Sequence, residues 1–209
     1  MKKIFSTILT ASLMLFGIQA FAQSSVNAGY LNSTQSFANS ESINSNGAYV
    51  GLSYNLPLAG GLSVAPGVYY SFITNSSGVS GTILGVPVTS SSTFAEHAVN
   101  IPLYLNYGIA LARDAKLMIY AGPTAQYGLA STTKLKGGIG SETADETYNN
   151  YDNTSYTRFN VYLGGGVCFQ AAKFLVNVGY DYGMMNLFKG DNATQTHRSN
   201  IKIGVGYLF

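Results

Sequence analysis

Apolar and polar residues alternate along most of this chain, with a period of two. In the last nine residues, Ile201, Ile203, Val205, Tyr207 and Phe209 share one face while Lys202, Gly204 and Gly206 share the other. Such alternation predicts a β-strand with one apolar side. Seven more segments repeat it, near 25–33, 48–56, 62–73, 95–107, 117–129, 158–170 and 174–184. In one, Val99, Ile101, Leu103 and Leu105 oppose Asn100, Pro102, Tyr104 and Asn106. In another, Phe174, Val176, Val178, Tyr180 and Tyr182 oppose Leu175, Asn177, Gly179, Asp181 and Gly183. The segments are close to the roughly 9–11 residues that a tilted strand needs to cross a bilayer.

The connections carry a second, independent rhythm. Residues 34–47, 74–94, 130–157 and 188–198 form long polar stretches, whereas those near 57–61, 108–116 and 171–173 are short. Alternating short and long connections are the habit of outer-membrane barrels, with tight turns on the periplasmic side. The two signals together predict an all-β fold, an eight-stranded antiparallel up-and-down transmembrane β-barrel with short periplasmic turns and long extracellular loops. An even strand count then puts both termini on the periplasmic side. Pro66, Pro102 and Pro123 interrupt three segments and predict bulges or locally broken ladders, because proline cannot donate to a ladder.

Chemistry assigns the faces. The apolar series carries no charge over the middle of any segment, and lipid cannot satisfy polar groups, so this series is expected to face outward. The opposite series collects Asn, Ser, Thr, Gln, Gly, Tyr and the few charges. Inward glycines leave room for inward tyrosines in a lumen just wide enough for side chains to fill. Outward aromatics near segment ends (Tyr30, Tyr70, Phe72, Tyr127, Tyr182, Tyr207 and Phe209) are expected to form interfacial girdles.

Composition agrees with this reading. Charged residues are 10% of the 209, against about 25% in ordinary soluble domains. Past the N-terminus, no segment has the roughly 18 consecutive apolar residues of a transmembrane helix. Residues 1–22 read as a cleaved export signal: Lys2 and Lys3, a mostly apolar stretch over 4–20, then Ala20-Phe21-Ala22 before Gln23. The barrel domain is then 23–209. Subtracting Lys2 and Lys3 from the 11 basic residues leaves nine, equal to the nine acidic ones. A neutral mature chain without a basic patch gives nucleic-acid binding no electrostatic support.

Candidate chemistry is sparse. Glu96, Arg158, Asp181 and Lys202 fall on polar parity, two of each sign, and predict an ion-pair network in the lumen together with Asn100, Tyr104 and Asn177. A gated polar path for ions is the competing reading of the same residues. His97 and His197 lie far apart, with no third ligand at workable spacing, so no metal or cofactor is expected. The lone Cys168 lacks an activating base or cation, and no catalytic Ser/His/Asp arrangement stands out, so no enzymatic activity is expected.

NIPLYLNYG (100–108), YAGPTAQYGL (120–129), GGGVCF (164–169), VGYDYGMMNL (178–187) and the terminal IGVGYLF resemble the small outer-membrane β-barrel domain family often labelled porin-like or PorT-like. The resemblance implies residence in the outer membrane of a Gram-negative cell. Expected partners are outer-membrane lipid, the barrel assembly machinery through Ile203, Val205, Tyr207 and Phe209, and an extracellular partner met by the loops. The expected role is a structural or interaction scaffold displaying those loops. A narrow channel for ions or small solutes is the alternative, and a soluble lipocalin-like barrel, with its apolar series inward, is the alternative fold.

Overall fold

A computed structural model describes residues 23–37, 40–139, 142–152, 155–189 and 195–209. The expected export signal at 1–22 lies outside the described residues. Among the described residues there are nine strands: β1 Gln23–Phe37, β2 Ser40–Pro57, β3 Leu62–Ile83, β4 Val86–Ala112, β5 Ala115–Ile139, β6 Glu142–Asn149, β7 Phe159–Ala171, β8 Phe174–Gly183 and β9 Thr196–Leu208. One 3-10 turn, Asn150–Asp152, follows β6. All strand pairings are antiparallel, in the order β4-β3-β2-β1-β9-β8-β7-β5-β6, and a β4–β5 pairing closes the ring. Eight strands therefore make the cylinder, and β6 pairs with β5 outside it.

Closure uses the terminal strand. β9 pairs with β1 from Ser25↔Leu208 to Phe37↔Thr196, and Phe209 donates its N–H to the Ser24 carbonyl. The backbone of the closing strand is thereby paired with β1, which lipid demands of a spanning sheet. The start of β1 and the end of β9 share one end of the ring with the short β2–β3, β4–β5 and β7–β8 turns.

The predicted faces are the observed ones. Outward Leu103 and Val205 are 51% and 62% exposed, whereas inward Asn160 and Ser33 are fully buried. A cylinder that hides serine and asparagine while presenting leucine and valine is inverted for water and correct for hydrocarbon. The lipocalin-like alternative, with its apolar face inward, is thereby overturned. Aromatic residues sit toward both ends of the outer face, with Phe174 and Tyr207 in edge contact near the short turns and Tyr70 hydrogen-bonded to His97 nearer the opposite rim.

One expectation needs correction. The long connections are not irregular loops over their whole length. β3 and β4 stay paired out to Ile83↔Val86, and β5 turns back through β6 from Ile139↔Glu142 to Thr132↔Asn149. The threonines and valines that read as loop composition suit strands, and in water as in lipid the pairing strand satisfies the backbone. In this extension the polarity of the faces exchanges. Val79, Leu135 and Ile139 continue the lumen-facing series, while Thr89, Thr93, Lys134 and Lys136 continue the lipid-facing one. That exchange marks the outer rim of the apolar belt.

Of the two effects expected of the prolines, the structure shows locally broken ladders and not bulges. Pairings lapse between Ser53↔Gly67 and Leu56↔Val64, between Pro66↔Leu103 and Tyr69↔Asn100, and between Pro102↔Thr124 and Leu105↔Ala121, yet the register is the same on both sides of each lapse. Register shifts fall elsewhere, at Gln35/Phe37, His97/Ala98 and Ala110/Ala112.

Candidate functional site

The lumen is built from inward tyrosines leaning over inward glycines. Tyr104 of β4 lies beside Gly122 of β5. Gly122 pairs with Gly164 of β7, which pairs with Asp181 of β8. Two residues without side chains leave the way clear, and the Tyr104 hydroxyl donates to Asp181 Oδ1 at 3.4 Å. Tyr120 repeats the device across Gly166 and Gly179, whose added Cβ atoms would each stand under 3 Å from its phenol oxygen. Here glycine is required by close approach, not by φ.

At the centre of this layer Lys202 Nζ lies 2.6 Å from Asp181 Oδ2 and donates to the Tyr104 hydroxyl at 2.9 Å. Around it, Tyr49 donates to Asn177 at 2.8 Å, Tyr162 to Gln126 at 3.0 Å, Gln126 to Asn100 at 2.9 Å, and Asn100 to Ser71 at 2.8 Å. The Lys202 and Asp181 charges and the Asn177, Gln126 and Asn100 amides of this layer are thus paired, as burial requires. A cavity of about 150 Å³ runs from this layer toward the short-turn end, past Asn55, Asn106 and Gln170.

Nearer the long-hairpin end a second ion pair crosses the lumen. Arg198 of β9 reaches across to Glu96 of β4, with Nη1 bonded to Oε1 and Nη2 at 3.3 Å from Oε2. Tyr156, from the segment before β7, donates to Glu96 Oε2 at 2.7 Å and accepts from Arg198 Nη2 at 2.9 Å. The Arg198 and Glu96 side chains are 2% and 4% exposed. The space beside them is about 10 Å³, room for one water at most. Outside the strands, burial pushes the phenols of Tyr151 and Tyr156 well above the usual tyrosine range. The shift keeps Tyr156 in the neutral form that donates to Glu96.

Of the predicted lumen residues, Glu96, Asn100, Tyr104, Asn177, Asp181 and Lys202 all face the interior. Arg158 does not. It precedes β7, is exposed, and places its guanidinium 4.6 Å over the Tyr151 ring. The strand begins one residue too late to carry Arg158 inward, and Arg198 supplies the second cation instead. The signal for Arg198 was its even parity with Asn200 and Lys202, continuing β9 into a stretch that reads as loop. Tyr156 had no periodic signal, since a single bridge to Phe188 places it. Ile203, Val205, Tyr207 and Phe209 lie together on the exposed face of β9.

The profile of the outer membrane protein β-barrel domain family matches residues 17–189. The chain belongs to this family. Its place is the outer membrane, with the exposed face of the ring in lipid. No curated protein matches it. Among solved structures it is similar to the attachment invasion locus protein Ail of Yersinia pestis, at 16% identity over 90% of this chain and 99% of that one, with a TM-score of 0.46. It is also similar to the outer membrane enzyme PagL, at 12% identity over 87% and 98% of the two chains with a TM-score of 0.47. OprG of Pseudomonas aeruginosa shows 11% identity over 90% and 96%, with a TM-score of 0.39.

Proposed function

We propose that this outer-membrane barrel is a closed, non-enzymatic scaffold whose working surface is its set of long hairpins. The observation that carries the reading is the buried Arg198–Glu96–Tyr156 cluster across the lumen, beside which the free space is only about 10 Å³. A hydrated ion needs a wider passage, and a buried, mutually neutralised pair offers it no free charge. The hairpins remain as the part able to meet an extracellular partner. Ile203, Val205, Tyr207 and Phe209 at the end of β9 are the face offered to the barrel assembly machinery, since this strand closes the ring on β1.

The narrow-channel reading draws on the larger cavity around Lys202 and Asp181, which gives the short-turn half a polar, roomy interior. Planar-bilayer recording on the purified full chain separates the two. A closed scaffold gives no unitary steps above the lipid background, and reproducible open-channel steps overturn this reading in favour of the channel.

A further inference from the structure

Beyond the apolar belt, 75–83 of β3, 86–95 of β4, 131–139 of β5 and β6 form a four-stranded antiparallel sheet standing on the barrel. Among the described residues no strand pairs with its two outer edges, although Asn75 at the start of the β3 edge still donates to the Asn44 carbonyl of β2. β2 stops pairing with β3 at Asn46↔Thr74, and β6 pairs with β5 alone. The two edges match in length, nine residues against eight. They differ in direction: β3 runs away from the short-turn end, and β6 runs back toward it.

They also differ in guarding. Exposed edges are normally protected by charge, proline or a bulge. Residues 75–83 contain no charged residue and no proline, and their pairing with β4 has no register shift. β6 carries Glu142, Asp145 and Glu146 and is exposed throughout. Asp145 is held by Lys136 at 3.5 Å on the polar face, which leaves Glu142 and Glu146 on the face shared with Val79, Leu135 and Ile139.

Copies inserted in one membrane share one orientation, and this restricts how they pair. A β3 edge against another β3 edge would be parallel, the less favourable ladder. A β6 edge against another β6 edge would be parallel as well, and would bring carboxylates together. The edge of β6 against the edge of β3 is antiparallel, matched in length and free of like charge. We propose that the β6 edge of one copy docks on the 75–83 edge of a second copy, continuing the sheet from molecule to molecule above the membrane. The contact is heterologous, so it builds rings if the rotation closes and rows if it does not. The inference rests on the scaffold reading only in placing the hairpins outside the cell.

The test is disulfide trapping in intact outer membranes, with Cys168→Ser in every chain. Val79→Cys and either Ala144→Cys or Glu146→Cys are carried on separately tagged copies, which covers two registers that keep the faces aligned. The expected result is a mixed disulfide dimer when two kinds of copy are co-expressed, with at least several-fold less homodimer from any one alone. No mixed dimer in either pairing, with each variant still showing heat-modifiable mobility, overturns the proposal. A charge pair makes a second measurement without cysteines. Val79→Lys, facing Glu142 and Glu146, is expected to raise the oligomeric fraction on native gels and Val79→Glu to lower it several-fold; equal fractions overturn the proposal. Failure here leaves a non-conducting monomer as a scaffold, whereas conductance steps overturn the scaffold whatever the oligomeric state.

Discussion

The Tyr49 phenol on β2 donates to Asn177 on β8 at 2.8 Å although β1 and β9 stand between them. Register explains the reach. Tyr49 pairs with Gly29, Gly29 with Gly204, and Gly204 with Asn177, so the ring lies across two positions that have no side chain. This row, the Tyr104 row and the Tyr120 row show how an eight-stranded lumen is filled. Large aromatics are laid tangentially over paired glycines and end on a polar partner or a backbone carbonyl.

The tangential packing predicts a sharp response at Gly204. A Cβ there would stand 2.1 Å from the Tyr49 phenol oxygen and 2.8 Å from the Ala28 carbonyl oxygen. Gly204→Ala is expected to cost about 1–3 kcal/mol of overpacking, read as a lower urea midpoint in detergent or lipid. Tyr49→Phe removes the phenol oxygen and its bond to Asn177, a loss of about 1 kcal/mol. The double variant is expected to lose less than the sum of the two singles, because the substitutions meet at one atom.

The closure predicts an asymmetric result for charge removal. Arg198→Met strands the Glu96 carboxylate and Glu96→Gln strands the guanidinium, each in a nearly dry position. Either single change is expected to destabilise the barrel by about 3–5 kcal/mol, whereas the double change, which leaves no buried charge, costs much less than the two together. Unfolding titrations of the four proteins in the same lipid measure this. Equal costs for double and summed singles would mean that the pair is not coupled.

Arg198→Ala also predicts a gain of passage. The vacated side chain would widen the space of about 10 Å³ beside Glu96 toward the larger cavity below. Conductance steps are expected from this variant under conditions where the unmodified protein gives none. The same silence from both would move the constriction to Tyr156 or Tyr162, which also fill the bore.

Much of this molecule was legible in the sequence because lipid imposes a strict rule. Period-two alternation fixes which side of each strand is apolar, and the solvent then fixes which side faces out. Leu103, Val176 and Ile203 follow from that rule alone. What the rule cannot give is register, and register decides partners. Lys202 and Asp181 are joined because they lie diagonally, Lys202 opposite Gly179 and Asp181 opposite Asn200. Above the rim the solvent changes and the rule lapses, so Ser76 and Thr89 read as loop although they are strand. For the same reason Arg158 reads as inward and Arg198 as part of the polar 188–198 connection. Each sits where a strand passes from one solvent to the other, and only pairing shows that β9 continues through Arg198 while β7 starts after Arg158.

The face exchange at the rim yields the most direct test of the membrane reading. Leu103 and Thr89 lie on the same outward side of the same strand, β4, both exposed in the isolated molecule. An aqueous surface would accept arginine at either position with little change. In a bilayer, Leu103→Arg forces a guanidinium into hydrocarbon and is expected to cost about 2–4 kcal/mol, while Thr89→Arg, above the belt, is expected to be near neutral. Reversible unfolding from phospholipid vesicles gives both values, and refolding into short-chain detergent serves as the control in which the gap narrows. Similar values for the two positions in vesicles would place Leu103 outside the hydrocarbon, and the inverted exposure of the ring would then need another solvent to explain it.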